Sequence, residues 1–239
     1  MLPKNLPNLP QLEIAVSMKT ATEVGGDYYD FNTTPDGVLN VAFGDATGHG
    51  LAAGTIVTLM KGFFVSDSSR FDIPGFFNHC SKAIKEIKLG RLLMAFSMMR
   101  IAANKVSLSS AGMPPFYIYR KKGGTIEEVM LKGMPLGAMK NFPYVLQDTE
   151  LQTGDIVLLL TDGLPEQKNT AGEMFDYARV QEKLKEAADR PPSEIIEHLV
   201  KGGEEWMNGA MQDDDITLME VKMKEWDPAS LGVKAALLK

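Results

Sequence analysis

The chain has one cysteine, Cys80, in 239 residues, which excludes an intrachain disulfide and a cysteine-based zinc site and fits a reducing cytoplasm. Its three histidines, His49, His79 and His198, lie far apart and form no HxxxH pair, so a histidine-held zinc fits poorly too. No apolar run approaches the roughly 20 residues that a membrane-spanning helix needs. The opening MLPKNLPNLP has neither the apolar core nor the cleavage site of a secretory leader. Pro-spaced and polar, residues 1–11 read as an extended linker from an upstream module. A basic stripe is also missing. Lys and Arg number 25 against 31 Asp and Glu, and they are scattered, which disfavours a nucleic-acid partner. No repeat or low-complexity tract interrupts a hydrophobic content typical of folded soluble proteins.

What is present centres on Val38 to Leu51, VLNVAFGDATGHGL. An alternating apolar run ends at Gly44, Asp45 follows, and a Gly-rich turn leads into a helical pattern. A second segment repeats the design, with Ile156 to Thr161 leading to Asp162-Gly163. Alternation elsewhere predicts strands at Gln11–Lys19, around Tyr28–Phe31, and at Arg91–Ala103, Lys105–Ser110, Phe116–Tyr119, Thr125–Leu131, Tyr144–Glu150 and Ile216–Met223. Leu51–Val65 is apolar nearly all round and reads as a buried helix. Asp72 caps a second helix that runs to Leu89, with Pro74 in its first turn. Two more helices are expected at about Tyr177–Ala188 and Ser193–Met207, the second after the break at Pro191-Pro192. From residue 224 the periodicity fades into a tail. Strands and helices in separate blocks indicate an α+β fold of segregated layers.

Four acidic positions share one setting. Asp27 follows Gly-Gly, Asp45 follows Gly, Asp162 precedes Gly, and Asp214 precedes the last strand. Each sits where a strand meets a turn, so neighbouring strands would bring them together. Asp-Gly pairs are also ordinary turn chemistry, and Asp213–Asp215 reads equally as a solvated acidic turn. If the four converge, oxygen ligands of this kind suit Mg²⁺ or Mn²⁺. Carboxylates so close could not all ionise without a cation.

Asp27 within EVGGDYYDF, Asp45 within GDATGHG, Asp162 within LLLTDG and Asp214-Asp215 within DDDITL resemble, in this order, the metal-dependent Ser/Thr protein phosphatases of type 2C. The match is closest to the bacterial SpoIIE-type branch. It extends to LGRLLMAFSMMRI, SSAGMPPF, GMPLG, LQTGD and LPEQKNTAGEMF, and spans residues 12–223. The resemblance implies a four-layer αββα sandwich: two antiparallel sheets flanked by helix pairs, with two Mn²⁺ or Mg²⁺ ions at one end. Asp45 would bridge both ions and the Ala46 carbonyl would help hold one. Asp27 would bind from the opposite side, and Asp162 and Asp214 would hold the other ion. Asp215, Thr217 and His49 would act behind the ligands through hydrogen bonds, His49 with a structural role in the turn as its alternative. Met113 stands where the family's SSAG motif often continues with His. The substrate-gripping Arg of eukaryotic relatives has no clear counterpart; Lys19 is the candidate, and an exposed strand residue is its other reading. Glu166 would stabilise the loop after Asp162.

The implied activity is removal of phosphate from a phosphoserine or phosphothreonine regulatory protein by a metal-activated water, the branch suggesting an anti-sigma-factor antagonist as substrate. An upstream sensor or dimerisation module is the implied partner. The rivals are a pseudo-phosphatase that only binds a phosphoprotein, and a hydrolase of small phosphoesters.

Overall fold

The computed structural model describes residues 2–88, 90 and 92–225. In chain order the elements are β1 (Leu12–Lys19), β2 (Asp27–Thr33), β3 (Leu39–Ala46), α1 (Leu51–Asp67), α2 (Ile73–Ile87), β4 (Met94–Ala102), β5 (Lys105–Ala111), β6 (Phe116–Arg120), β7 (Thr125–Val129), β8 (Gln147–Glu150), β9 (Ile156–Leu160), α3 (Tyr177–Ala187), α4 (Pro192–Met207) and β10 (Ile216–Met223). The strands form two five-stranded antiparallel sheets, ordered β1-β10-β9-β6-β7 and β2-β3-β4-β5-β8. Helices α1 and α2 cover the second sheet and α3 and α4 the first, which is the αββα sandwich expected.

Strand alternation divides the core into three layers. In β3, Leu39, Val41 and Phe43 join Met219 and Val221 of β10 and Val157 and Leu159 of β9 in the cluster between the sheets. The alternate residue Ala42 meets Ile56, Met60, Phe64 and Phe77 from α1 and α2. On the other side Leu158, Leu160 and Leu218 meet Leu184 and Leu199 from α3 and α4. Leu9 of the segment before β1 packs against the inter-sheet cluster and Leu2 against the α1/α2 cluster.

Several boundaries differ from expectation. Strand β3 continues through Asp45 to Ala46, so Asp45 belongs to the ladder and not to the turn after it. Helix α1 is not buried all round: Leu51 is 87% and Val65 65% exposed, because only Ala53, Ile56, Val57, Met60 and Phe64 face the sheet. Helix α2 has the expected cap, Asp72 Oδ1 accepting the Gly75 N–H at 2.8 Å, and ends at Ile87 as Lys88 turns left-handed; Leu89 lies outside the described residues. Helix α4 starts at Pro192, one residue before Ser193, since proline lacks the N–H that a first helical turn leaves unused. Tyr144 does not enter β8. Its ring is buried against Phe77 and its hydroxyl donates to the Met134 carbonyl, which holds the chain off the sheet edge. Strand β4 begins at Met94, and Arg91 lies outside the described residues, as do positions 226–239 of the expected tail. No helix among the described residues is long and apolar enough to cross a membrane.

Candidate metal centre

The side-chain row that fills the space between the sheets continues, at one end of the sandwich, as polar groups. Period two places Asp45 in line with Val41 and Phe43, and Asp27 in line with Tyr29 and Phe31. The β2–β3 register sets Asp27 directly opposite Asp45. On the facing sheet, Thr161 follows Val157 and Leu159, and Thr217 precedes Met219 and Val221. Both hydroxyls donate across the gap to Asp27 Oδ2, Thr161 at 3.1 Å and Thr217 at 2.5 Å. Thr161 Oγ1 also accepts the Thr217 N–H at 3.0 Å. Asp27 is therefore buried and tied to both sheets through Oδ2, which leaves Oδ1 for any further ligand.

Asp162 and Asp214 reach the same mouth from loops. Asp162 follows β9, and Gly163 beside it lies where a Cβ would come within 1.9 Å of the Asp215 carbonyl oxygen. Only glycine allows that approach, so the Asp162 turn and the loop before β10 are pressed together. Asp214 Oδ1 accepts the Asp215 N–H at 2.8 Å, and Gln212 Nε2 donates to the Asp214 carbonyl and to the Lys19 carbonyl. Asp215 has a different task from its neighbour. Its two oxygens accept the backbone N–H groups of Ala21 and Gly26, each at 2.7 Å, and so pin the loop before β2.

The electrostatics record this proximity. Asp45 is pushed up to about 7, first by burial and then by Asp162, Asp214 and Asp215. Asp27 is pushed up to about 8 by burial, against the two threonine bonds, with Asp45 and Asp215 adding to the rise. Asp162 is raised by burial, Asp214 and Glu166. Carboxylates from four segments thus oppose one another's ionisation, which a bound cation would reverse.

Main-chain oxygens complete the donor set. A Cβ built on Gly26 would lie 2.8 Å from the Ala46 carbonyl oxygen, 2.9 Å from Asp45 Oδ1 and 3.2 Å from the Gly48 carbonyl oxygen. Three oxygens therefore surround one small space that glycine leaves open. Among the described residues no three acidic, histidine or cysteine side chains close on a single point, so carbonyls are needed alongside the carboxylates. An all-oxygen set of this kind fits a hard divalent cation and not zinc.

The remaining expected site residues are placed as follows. His49 is exposed in the turn between Ala46 and α1, where Gly48 and Gly50 take positive φ and the Gly50 N–H donates to the Val24 carbonyl. Lys19 turns toward α4, its Nζ 3.1 Å from Glu204 Oε1 with both side chains half exposed, and it is not drawn to the carboxylates. The Glu166 N–H donates to the Asp162 carbonyl at 2.9 Å, which closes the loop. Sequence reasoning missed Thr161, Gly26 and Gln212. For Thr161 the signal was available, since it occupies the next inward-facing position after Val157 and Leu159 in a strand ending at Asp162.

Comparison with known proteins agrees with this arrangement. The family model described as Stage II sporulation protein E (SpoIIE) matches residues 35–224. Phosphoserine phosphatase RsbU of Bacillus subtilis (strain 168) is 25% identical over 238 residues, covering 94% of this chain and 67% of RsbU. The SiaA-PP2C domain of Pseudomonas aeruginosa superposes with a TM-score of 0.77 at 22% identity, covering 90% of this chain and 86% of that one. The RsbU and RsbW domains of Rv1364c from Mycobacterium tuberculosis give a TM-score of 0.77 at 22% identity over 93% of this chain and 62% of theirs. The chain thus spans about two thirds of these longer relatives. The family model covers most of the chain, and the structural likenesses give the same fold: the chain belongs to the SpoIIE family of PP2C-type phosphatases, which are in general metal-dependent.

Proposed function

We propose that this chain hydrolyses phosphoserine or phosphothreonine on a regulatory protein, with an anti-sigma-factor antagonist as the favoured substrate class. One observation carries the reading: carboxylates from four separate segments share one mouth of the sandwich and raise one another's pKa. The name of RsbU, a phosphoserine phosphatase, supports the choice of phosphoamino acid.

Asp27, Asp45, Asp162, Asp214 and the Ala46 carbonyl would hold two Mn²⁺ or Mg²⁺ ions. Bound there, the ions would neutralise the carboxylates, draw charge from phosphate oxygens and acidify water for attack at neutral pH. The protein's own residues supply the positioning. Thr161 and Thr217 fix Asp27 through one oxygen. Asp215 holds Gly26 against Asp45 and the Ala46 carbonyl, which keeps the oxygen set compact. His49, exposed in the adjacent turn, is available to hydrogen-bond substrate or water. With Lys19 occupied by Glu204, the described residues place no cationic side chain among these carboxylates, so the phosphate's charge would be met by the ions. An upstream sensor or dimerising module is the partner that would set when the site works.

The test is phosphate release from p-nitrophenyl phosphate and from a phosphoserine protein, with Mn²⁺, with EDTA, and with Asp45→Asn. Turnover that requires Mn²⁺ and is lost in the variant is expected. No turnover with Mn²⁺, or turnover surviving both EDTA and Asp45→Asn, overturns the reading. Activity on the small ester alone favours the small-phosphoester rival, and phosphoprotein binding without turnover favours the pseudo-phosphatase.

A further inference from the structure

Next to Asp162 lies a hollow of about 310 Å³ that the carboxylate mouth does not use. It is enclosed by the loop from β5 to β6, the β6–β7 pair, the loop after β9 and the start of α3. Its wall combines two chemistries. Met113, Pro114, Pro115 and Met130 are apolar, while Glu128, Glu166 and Asp162 are acidic, and neither Lys nor Arg lines it. The volume is at the lower end of ligand sites, enough for a long side chain and too little for a folded segment.

The acidic groups here lack cationic partners. Glu166 and Glu128 enter no salt bridge among the described residues, and Glu128 receives only the Gln181 Nε2 donor at 3.2 Å. Their field reaches Tyr177 in the same wall, whose phenol is pushed up to about 12 by burial and then by Asp162, Glu166 and Glu128. A second observation is independent of this charge. Tyr117, also in the wall, is fully buried, and its hydroxyl makes no hydrogen bond although Glu128 and Gln181 lie beside it. The register of β6 and β7 sets Tyr117 directly opposite Glu128. A buried hydroxyl left unpaired at the foot of a hollow points to a polar group that arrives from outside.

We propose that the hollow is a specificity subsite for a basic side chain, arginine or lysine, within about three residues of the phosphorylated one in the substrate protein. This rests on the phosphatase reading above, because Asp162 lines both places and a phosphate held at the carboxylate mouth would bring its neighbours here. The methylene stem lies along Met113, Pro115 and Met130, whose thioethers adapt to its shape. The charged head sits between Glu128 and Glu166, with the Tyr117 hydroxyl as a further acceptor.

The experiment uses phosphoserine peptides that differ only in carrying Arg, Leu or Glu at one flanking position. Each is measured with Mn²⁺ on the wild type, Glu128→Gln, Glu128→Lys and Tyr117→Phe. Both kcat/KM and binding by fluorescence anisotropy are read, with p-nitrophenyl phosphate as a substrate too small to reach the hollow. The wild type should favour Arg over Glu by about tenfold or more at one position. Glu128→Gln should reduce that preference to about threefold or less and Glu128→Lys should reverse it, with p-nitrophenyl phosphate turnover unchanged. Tyr117→Phe should lower Arg-peptide affinity and leave the Leu peptide unaffected. An Arg preference absent at every position, or undiminished in Glu128→Gln, overturns the subsite. If no substrate turns over at all, the phosphatase reading fails, and anisotropy still decides the subsite by the same Arg-against-Glu difference and its dependence on Glu128.

Discussion

Asp27 and Glu220 are both carboxyl groups buried on strands, 3% and 0% exposed, and burial pushes each up to about 8. Their surroundings differ. Asp27 lies between the sheets at the end of the sandwich, bonded to two hydroxyls and sensed by Asp45 and Asp215. Glu220 lies mid-strand in β10, with Ala15 on β1 and Leu158 on β9 as its cross-strand neighbours, and neither of its oxygens has a hydrogen-bond partner. The charges it senses are Lys222, which lowers its pKa, and Glu13, which raises it. A raised pKa alone therefore does not mark a functional group. What distinguishes the metal centre is that its carboxylates face one another and carry built-in hydrogen bonds; Glu220 is alone.

This contrast can be broken by substitution, beginning at the mouth. Asp45→Asn should lower phosphatase turnover by about a thousandfold, and it should also abolish the rise in melting temperature that Mn²⁺ gives the wild type. A variant that keeps the Mn²⁺-dependent rise would remove Asp45 from the centre. Gly26→Ala should come next, with turnover and Mn²⁺ affinity down by about 10–100-fold. Its methyl would press on the Ala46 carbonyl, Asp45 Oδ1 and the Gly48 carbonyl, so calorimetric titration with Mn²⁺ should register the change directly.

Glu220→Gln should act in the opposite sense, on stability and not on turnover. Folding raises the Glu220 pKa from 4.5 to about 8, so its contribution is intact below pH 4.5 and is lost as pH climbs through 8. At pH 7 the ionised form that the unfolded chain prefers is denied by the fold, at a cost of about 3 kcal/mol. Urea melts should show the variant more stable by roughly that amount at pH 7 and equal to the wild type at pH 4. An advantage that does not change between those two pH values would sink this account. The smallest effect is expected for Thr217→Val, which removes one of the two bonds to Asp27 Oδ2 at nearly constant shape. It should destabilise by about 1–2 kcal/mol in the same melts, with a smaller loss of turnover than Gly26→Ala.

The order and type of the elements were legible because strand and helix periods differ, and the two buried sheets demanded apolar alternation. The four acidic positions were legible because each interrupts such a pattern at a strand end. Other features were hidden. Leu51 and Val65 read as core by hydropathy, yet α1 touches the sheet along one stripe and leaves them in water. Thr217 and Asp215 stand side by side with Asp214, and nothing local says that Thr217 bonds Asp27, 190 residues away, while Asp215 pins the loop before β2. Glu220 sits in an alternating strand where a charged residue normally marks the solvent face, and here that face is covered by helices.

By itself, then, the sequence determined the inventory: strands, helices, and an acidic residue at each of four turns, all set by local periods and backbone permissions. Tertiary structure decided which of these groups meet. The β2–β3 register put Asp27 opposite Asp45, the contact of Gly163 with the Asp215 carbonyl brought two loops into one wall, and sheet-on-sheet packing turned separate turns into one mouth. The physical reason is distance along the chain. Hydropathy and turn chemistry act over a few residues, whereas mutual repulsion of carboxylates, a gap only glycine can leave and a hydroxyl with no partner exist only after residues far apart have packed.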